Sequence, residues 1–171
     1  MTTPNASTST HTSPGPRAFD VLFGEWTGHH RKFRDVTDPD CVEWVEFEAT
    51  HETSPVLAGG GHLDVSRVAA GQAVPAFESL TLRLYRPEDD TWAIYWMSTR
   101  APGVLDPPVI GRAGEDGGTF ECDDVVGGRT VRVRYTWDWR DPSRPVYQQA
   151  FASPGTEDWV TNWESVLTRR G

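Results

Sequence analysis

Alternating apolar and polar residues, interrupted by turn sequences at short intervals, run through this chain from Phe19 onward. In FESLTLRLYR (77–86) and VRVRYTW (131–137), every second side chain falls on the same face. A period of two is typical of β-strands, whereas an amphipathic helix repeats every 3.6 residues. The connections between these segments are short, and short connections join antiparallel neighbours, because a parallel crossover needs about a dozen residues or more. The chain is therefore expected to be all-β.

The turn signals predict nine or ten strands and a short helical turn at Ala18–Phe23. The strands are expected at 25–34, 42–53, 57–68, 77–86, 91–100, 109–113 with its continuation 119–123, 130–139, 146–152 and 159–168. An antiparallel meander of this length protects its edge strands best by closing on itself. We predict a single antiparallel up-and-down β-barrel over residues 17–171, with a two-sheet sandwich as the alternative. Three adjacent glycines, Gly59–Gly61, suggest a bulge or a barrel corner. Residues 1–16 are mostly Ser, Thr and Pro, which predicts a disordered tail.

The net charge and the search for sorting signals limit the partners and the location that we expect for this protein. The chain carries 25 acidic and 16 basic residues, a net charge of −9. This argues against nucleic acid, which needs a basic surface, and against an anionic membrane. The sequence shows neither an apolar run of membrane-spanning length nor a signal-peptide pattern, so a cytoplasmic protein is expected. Cys41 and Cys122 lack any metal or redox spacing and are expected to be unpaired thiols.

Two sets of residues carry a family resemblance. The G-x-W at Gly24–Trp26, with Arg169 and Arg170 at the end of the last strand, resembles the lipocalins and the wider calycin group, in which this tryptophan packs near a C-terminal arginine at the barrel base. The chain after residue 18 also resembles an uncharacterised family of bacterial lipocalin-like proteins. This second resemblance rests on EWVEFEAT (43–50), LTLRLYRPEDDTWAIYW (80–96), LDPPVIGR (105–112), VRVRYTW (131–137) and QQAFASPGTEDWVTNWE (148–164).

These resemblances imply a lipocalin-like barrel without a defined activity. Haem-binding nitrobindins share a similar G-x-W start. The last histidine here is His62, however, so the C-terminal strands offer no proximal haem ligand. That departure disfavours haem.

Alternate residues of a barrel strand face its lumen. Val45, Phe47, Ala49 and His51 form one face of their strand, and Trp26, Gly28, His30 and Lys32 share a face of the first strand. Strand 91–100 has two apolar faces. Either a bulge shifts its register or a neighbour covers its outer face, which suggests a homodimer.

An aromatic lumen with sparse polar groups is typical of a pocket for a flat or apolar small molecule. The alternative is that the aromatic residues, which include eight tryptophans, simply fill a narrow barrel. His30 and His51 are the titratable candidates. Arg83 and Arg134, if they point inward, would hold an anionic or carbonyl oxygen of the ligand. The predicted ligand-binding residues are His51, Trp96, Arg134, Tyr135, Trp137, Gln149 and Trp163.

Three functions follow from this lumen. The first is binding of a hydrophobic or aromatic small molecule. The second is a cofactor-independent cyclase or isomerase that acts on a polyketide- or terpene-like intermediate of secondary metabolism, with His30, Tyr95 and Arg83 as catalytic residues. The third is haem or metal binding, in which His62 and Asp64 would add ligands to His30 or His51. No spacing matches a known metal motif, and no cofactor or metal is expected.

Overall fold

The computed structural model describes residues 15–171 and consists of one closed antiparallel barrel of ten strands. Two short 3-10 turns, Gly15–Arg17 and Asp20–Leu22, precede the first strand. The strands are β1 (Gly24–Phe33), β2 (Trp44–Val56), β3 (Gly61–Val68), β4 (Phe77–Arg86), β5 (Thr91–Ser98), β6 (Val109–Ala113), β7 (Gly117–Val126), β8 (Arg129–Asp138), β9 (Val146–Ala152) and β10 (Val160–Arg169). The predicted fold class, an all-β up-and-down barrel with an N-terminal helical turn, is confirmed.

Each strand pairs with its neighbour in sequence, and β10 closes the barrel against β1. The closing register places Trp26 opposite Arg169 and Lys32 opposite Trp163. The predicted disordered tail lies outside the described residues, except for Gly15 and Pro16, which belong to the first 3-10 turn. Within the described chain, no helix is both long enough and apolar enough to cross a membrane.

The glycine run at 59–61 does not lie inside a strand as predicted. Leu57–Gly59 form a 3-10 turn, and β3 begins only at Gly61. Leu57, Ala58 and Gly59 adopt positive φ angles of 52°, 54° and 92°. This left-handed backbone reverses the chain between β2 and β3, and glycine adopts it without steric strain.

The predicted alternation is confirmed on the first two strands. Trp26, Gly28, His30 and Lys32 are buried along β1, and Val45, Phe47 and Ala49 are buried along β2. The residues between them are mostly exposed or half-buried. Pairing in register therefore directs one side of each strand into the barrel.

The pairing of β5 with β4 decides which of the two apolar faces of β5 points into the lumen. Trp92, Ile94 and Trp96 face inward, whereas Tyr95 and Met97 lie on the outer face, half-buried. The register between β4 and β5 is continuous, so the bulge that could have shifted β5 is absent from this strand pair. A second subunit over the outer face stays a prediction.

Phe19 closes one end of the barrel. Its fully buried ring lies 5.0 Å from that of Trp92, 5.6 Å from that of Phe120 and 5.2 Å from that of Trp139. Trp92 Nε1 also donates a hydrogen bond to the carbonyl of Gly15. The N-terminal turn is thereby anchored as a plug, and this cluster forms the floor of the lumen.

The G-x-W motif forms the contact that the resemblance implied. Trp26 is fully buried and donates from Nε1 to the Leu22 carbonyl at 2.8 Å. The Arg169 guanidinium lies 4.2 Å from the Trp26 ring centroid and donates to the carbonyls of Phe23 and Val21. The two ends of the barrel sequence are thus joined at the closed end.

Candidate functional site

A cavity of about 370 Å³ occupies the lumen above the Phe19 floor. Its lining comes from strands on all sides of the barrel. Eight of the ten residues predicted for the site line it: His30, His51, Arg83, Trp96, Tyr135, Trp137, Gln149 and Trp163. Their roles in binding or catalysis stay predictions.

The structure places the other two predicted residues outside the lumen. Tyr95 lies on the outer face of β5, opposite Leu82 of β4. Arg134 lies on the outer face of β8, where it pairs with Glu121 at 2.6 Å and covers the Trp159 ring at 3.7 Å. Strand alternation is the reason, because Trp96 and Tyr135, the neighbours of these residues in sequence, take the inward positions. Neither Tyr95 nor Arg134 can contact a molecule in the lumen.

A chain of side-chain hydrogen bonds crosses one wall of the cavity. Trp163 Nε1 lies 3.2 Å from His30 Nδ1, and His30 Nε2 lies 3.1 Å from His51 Nε2. His51 Nδ1 lies 3.3 Å from Asp64 Oδ1, and Thr53 donates to the other carboxylate oxygen at 2.6 Å. Strands β1, β2, β3 and β10 together position these groups.

The two end groups of this series of hydrogen bonds, Trp163 and Asp64, determine which ring nitrogens of the histidines carry a hydrogen. The Trp163 indole can only donate, so His30 Nδ1 accepts and His30 Nε2 carries the hydrogen. The ionised Asp64 carboxylate can only accept, so His51 Nδ1 carries the hydrogen and His51 Nε2 accepts from His30. With both histidines neutral, every ring nitrogen has a partner. Neither imidazole then offers a free lone pair to a ligand.

Gly28 makes room for the two imidazoles. A Cβ at this position would lie 2.7 Å from both His30 Nε2 and His51 Nε2. Real Cβ atoms do not approach other atoms so closely, so any side chain at position 28 would push the rings apart. The small residue on β1 is therefore part of the site.

The surroundings favour the neutral imidazole of His30. Burial, followed by the proximity of His51, lowers the pKa of His30 to about 3, against a smaller opposing effect of Asp64. For Asp64, burial acts to raise the pKa, but the hydrogen bond from His51, the charge of Arg83 and the hydrogen bond from Thr53 outweigh burial and lower the pKa overall. The site thus combines an ionised carboxylate with a neutral histidine at ordinary pH.

Arg83 reaches into the lumen from β4 and is 2% exposed. Its Nε and Nη1 have no hydrogen-bond partner within residues 15–171. The guanidinium lies 5.2 Å from the Phe19 ring centroid and 5.5 Å from that of Trp137. Burial lowers its pKa while Asp64 and Tyr147 oppose that shift, but an arginine stays protonated in proteins. A buried cation with unpaired donors therefore lies at the floor of the cavity.

Aromatic rings form much of the remaining wall. His30 stacks on Phe47 with an interplanar angle of 5°, and Trp96 and Trp163 meet edge to face. The rings of Tyr135 and Tyr147 meet edge to face with centroids 5.3 Å apart, and burial raises the pKa of both phenols. They are therefore neutral hydrogen-bonding groups in an apolar surround.

The open end of the cavity is lined by charged side chains: Lys32, Arg100, Asp106 and Asp124. Two connections narrow this end. The β1–β2 connection at Thr37 meets the β7–β8 hairpin, where Arg129 donates to the Thr37 carbonyl. A ligand would enter between these connections and the strand ends.

Several lining residues were absent from the sequence-based site. Lys32 and Arg100 were not assigned to it, although alternation had already placed Lys32 on the inward face of β1. Tyr147 could have been found in the same way, because it is two residues before Gln149 on β9. Asp64 was considered only as a metal ligand, and only the pairing of β2 with β3 brings it to His51.

No protein-family model matches this chain, and no curated protein sequence matches it either. Two solved structures are similar in fold. Rv2717c from M. tuberculosis superposes with a TM-score of 0.60 at 14% identity, over 93% of this chain and 99% of its own. The S-type phycobiliprotein lyase CPES from Guillardia theta superposes with a TM-score of 0.56 at 11% identity, over 90% of each chain. The ten-strand barrel and these neighbours fit a lipocalin-like, calycin-type fold.

Proposed function

We propose that the barrel binds a hydrophobic or aromatic small molecule whose anionic or carbonyl oxygen accepts hydrogen bonds from Arg83. The buried guanidinium with unpaired Nε and Nη1 carries this proposal. An unpaired buried donor is unfavourable, and more so when it is charged. Arginine donors lie in a plane that matches two oxygen lone pairs, so a ligand oxygen would restore the missing bonds.

The size and walls of the cavity support the same ligand class. A volume of about 370 Å³ lies within the range of small-molecule pockets. Rings from Phe47, Trp96 and Trp163 offer apolar faces, and Gln149 adds a polar group that is already bonded to Asn162. One protein of similar fold is named a phycobiliprotein lyase, which is consistent with a small-molecule role for this barrel.

Arg83→Met tests the proposal directly. The variant keeps an unbranched side chain but removes the donors. We expect it to bind 2-naphthoate at least tenfold more weakly by tryptophan fluorescence and calorimetry, since a charged hydrogen bond contributes about 1.5–3 kcal/mol. Arg134→Met, on the outer face, is the matched control and should bind like the wild type. Equal affinity of the folded Arg83→Met variant would overturn the role of Arg83, and no binding of any naphthalene probe to the wild type would overturn the binding function.

A second candidate, a cofactor-independent isomerase or cyclase, is favoured by the His51–Asp64 pair beside His30. A carboxylate that accepts from one imidazole nitrogen orients the other nitrogen as a base. Here His30 already donates to that nitrogen, so catalysis would require His30 to turn away when the substrate enters. The structure thus supports binding more directly than proton transfer.

Deuterium exchange separates the two functions. A proton-transfer site would exchange the methyl hydrogens of bound 2-acetylnaphthalene with deuterated water, as followed by proton NMR. His51→Gln should abolish this exchange. Binding without exchange above the buffer rate would remove the enzyme candidate.

Membership of the uncharacterised lipocalin-like family, a cytoplasmic location and a place in secondary metabolism stay predictions.

A further inference from the structure

Lys32 is the only lysine in the chain, and it faces the lumen. It is 6% exposed, lies near the open end of the barrel, and is two residues from His30 on the same inward face of β1. Lysine is almost never so buried unless it is paired with an acid. Within the described residues, however, Lys32 forms neither an ion pair nor a side-chain hydrogen bond.

The contact that Lys32 does make is with an aromatic ring. Its Nζ lies 4.9 Å from the ring centroid of Trp163, which also donates to His30. Burial, and next the charge of Arg100, lower the pKa of Lys32 from 10.5 to about 8, although Asp35 and Cys41 oppose this shift. At pH 7 the neutral amine is then roughly 300-fold more abundant than for an ordinary lysine. Such an amine is a nucleophile at the open end of an aromatic-lined cavity.

We propose that Lys32 is a covalent binding site for aldehydes and ketones, and that its Nζ forms an imine with the carbonyl carbon of a hydrophobic ligand. This inference rests on the proposed binding function, because the same lumen must admit the ligand. The amine nitrogen bonds to the carbonyl carbon, and the carbonyl oxygen leaves as water with the two amine hydrogens. Protonation of the imine yields an iminium ion beside the Trp163 ring, which attracts cations.

The position of Arg83 relative to Lys32 further defines the chemistry expected of the ligand. Arg83 lies against the Phe19 floor, whereas Lys32 lies towards the open end near Arg100. A ligand that satisfies both residues carries an oxygen acceptor at one end and an aldehyde or ketone at the other, separated by an apolar body. The aromatic wall between the two residues suits a conjugated or ring-containing body.

Reductive trapping tests this site. The folded protein is incubated at pH 7 with 2-naphthaldehyde and cyanoborohydride, which delivers hydride to the imine carbon and yields a stable secondary amine. Intact mass and peptide mapping then locate the naphthylmethyl group. The N-terminal amine serves as an internal comparison, because its ordinary pKa of about 8 is close to that of Lys32. Any preference for Lys32 must therefore come from the cavity and not from basicity.

We expect Lys32 to be labelled at least tenfold more than the N-terminal amine in the folded protein. The preference should disappear when the chain is unfolded in guanidinium, and the labelling rate should rise with pH up to a midpoint near 8. Lys32→Arg, which keeps the charge, and Lys32→Met should both lose the label. 2-Naphthalenemethanol, which has no carbonyl, should bind without forming an adduct.

Two outcomes distinguish failure of the covalent site at Lys32 from failure of the proposed binding function. If 2-naphthaldehyde quenches tryptophan fluorescence saturably but labels Lys32 no more than the N-terminus, the lumen binds ligands and the covalent site is disproved. If no naphthalene probe binds and Lys32 stays unlabelled, the proposed binding function fails as well.

Discussion

His30, His51 and Asp64 come from three different strands and form a hydrogen-bonded chain with one consistent set of hydrogens. Trp163 donates at one end of the chain and Asp64 accepts at the other. The sequence indicated that His30 and His51 face the lumen, because alternation along one strand is local. It could not show that the two rings meet at 3.1 Å, because that contact depends on how β1 pairs with β2.

Gly28→Ala should break the hydrogen bond between His30 and His51. The new Cβ would lie 2.7 Å from the Nε2 atoms of both histidines, so the rings must separate and lose their hydrogen bond. We expect a loss of about 1–3 kcal/mol in the free energy of unfolding, the usual range for overpacking a core. Urea unfolding measures it, and nitrogen chemical shifts of the two rings report the lost bond.

Gly114→Ala is the control for this change, since a Cβ there would meet only the Gly117 carbonyl at an ordinary 3.8 Å. If both variants unfold at the same urea concentration, the close approach at Gly28 is not a real constraint.

At the scale of elements, the strands were predicted within a few residues because alternation and turn residues are local signals. The predicted strand at 57–68 was the exception, since a left-handed turn occupies its first three residues. Non-glycine residues rarely adopt that conformation, so Leu57 and Ala58 gave no warning of it.

The N-terminal turn should contribute strongly to stability through Phe19. This ring is fully buried among Trp92, Phe120 and Trp139. We expect Phe19→Ala to lower the free energy of unfolding by about 3–5 kcal/mol, as for other large core truncations. Phe33→Ala, which removes a half-buried ring packed on Trp44, should have a clearly smaller effect. Similar urea midpoints for the two variants would mean that the plug contributes little.

The outer face of β4 and β5 is the surface on which a homodimer is predicted. Leu80, Leu82, Tyr95 and Met97 form a half-buried apolar row there. We expect the wild type to sediment as a dimer at micromolar concentrations and Leu82→Lys to sediment as a monomer, because a charge would then lie in the contact. Glu48→Lys on the exposed face of β2 should leave the dimer intact. A monomeric wild type would rule out this interface.

At the scale of the whole molecule, two buried histidines predict loss of stability in acid. The pKa of His30 is lowered to about 3, mainly by burial, and that of His62 to about 4 by burial and Arg83, against Asp20. Both are neutral in the folded protein at pH 5, whereas an unfolded chain protonates them below about pH 6.5. Their contribution is therefore complete above pH 6.5 and is lost as the pH falls towards 4.

Each histidine should lower the free energy of unfolding by up to about 1.4 kcal/mol per pH unit in that window. Urea unfolding between pH 7 and pH 4.5 measures the slope. His62→Leu should reduce the slope by up to about 1.4 kcal/mol per pH unit, because one proton is no longer taken up on unfolding. A flat profile over this range would contradict the burial of both rings.

The sequence alone determined the antiparallel all-β class and one face of several strands. Its alternation and short turns required an antiparallel all-β chain, and placed His30, His51 and Tyr135 on faces rich in apolar residues. These are properties of one strand and its nearest turns, so they can be inferred without knowing which strands pair.

The tertiary structure alone decided which side of β4 faces the lumen. By apolar character the leucines Leu80, Leu82 and Leu84 should lie inside, yet Thr81 and Arg83 line the cavity. Pairing of β4 with β3 and β5 determines this choice. Residues that lie opposite each other on paired strands point to the same side of the sheet, so the inward residues of β3 and β5 fix which residues of β4 point inward. Arg83 is buried as a consequence, and the candidate site depends on this orientation, which the sequence left open.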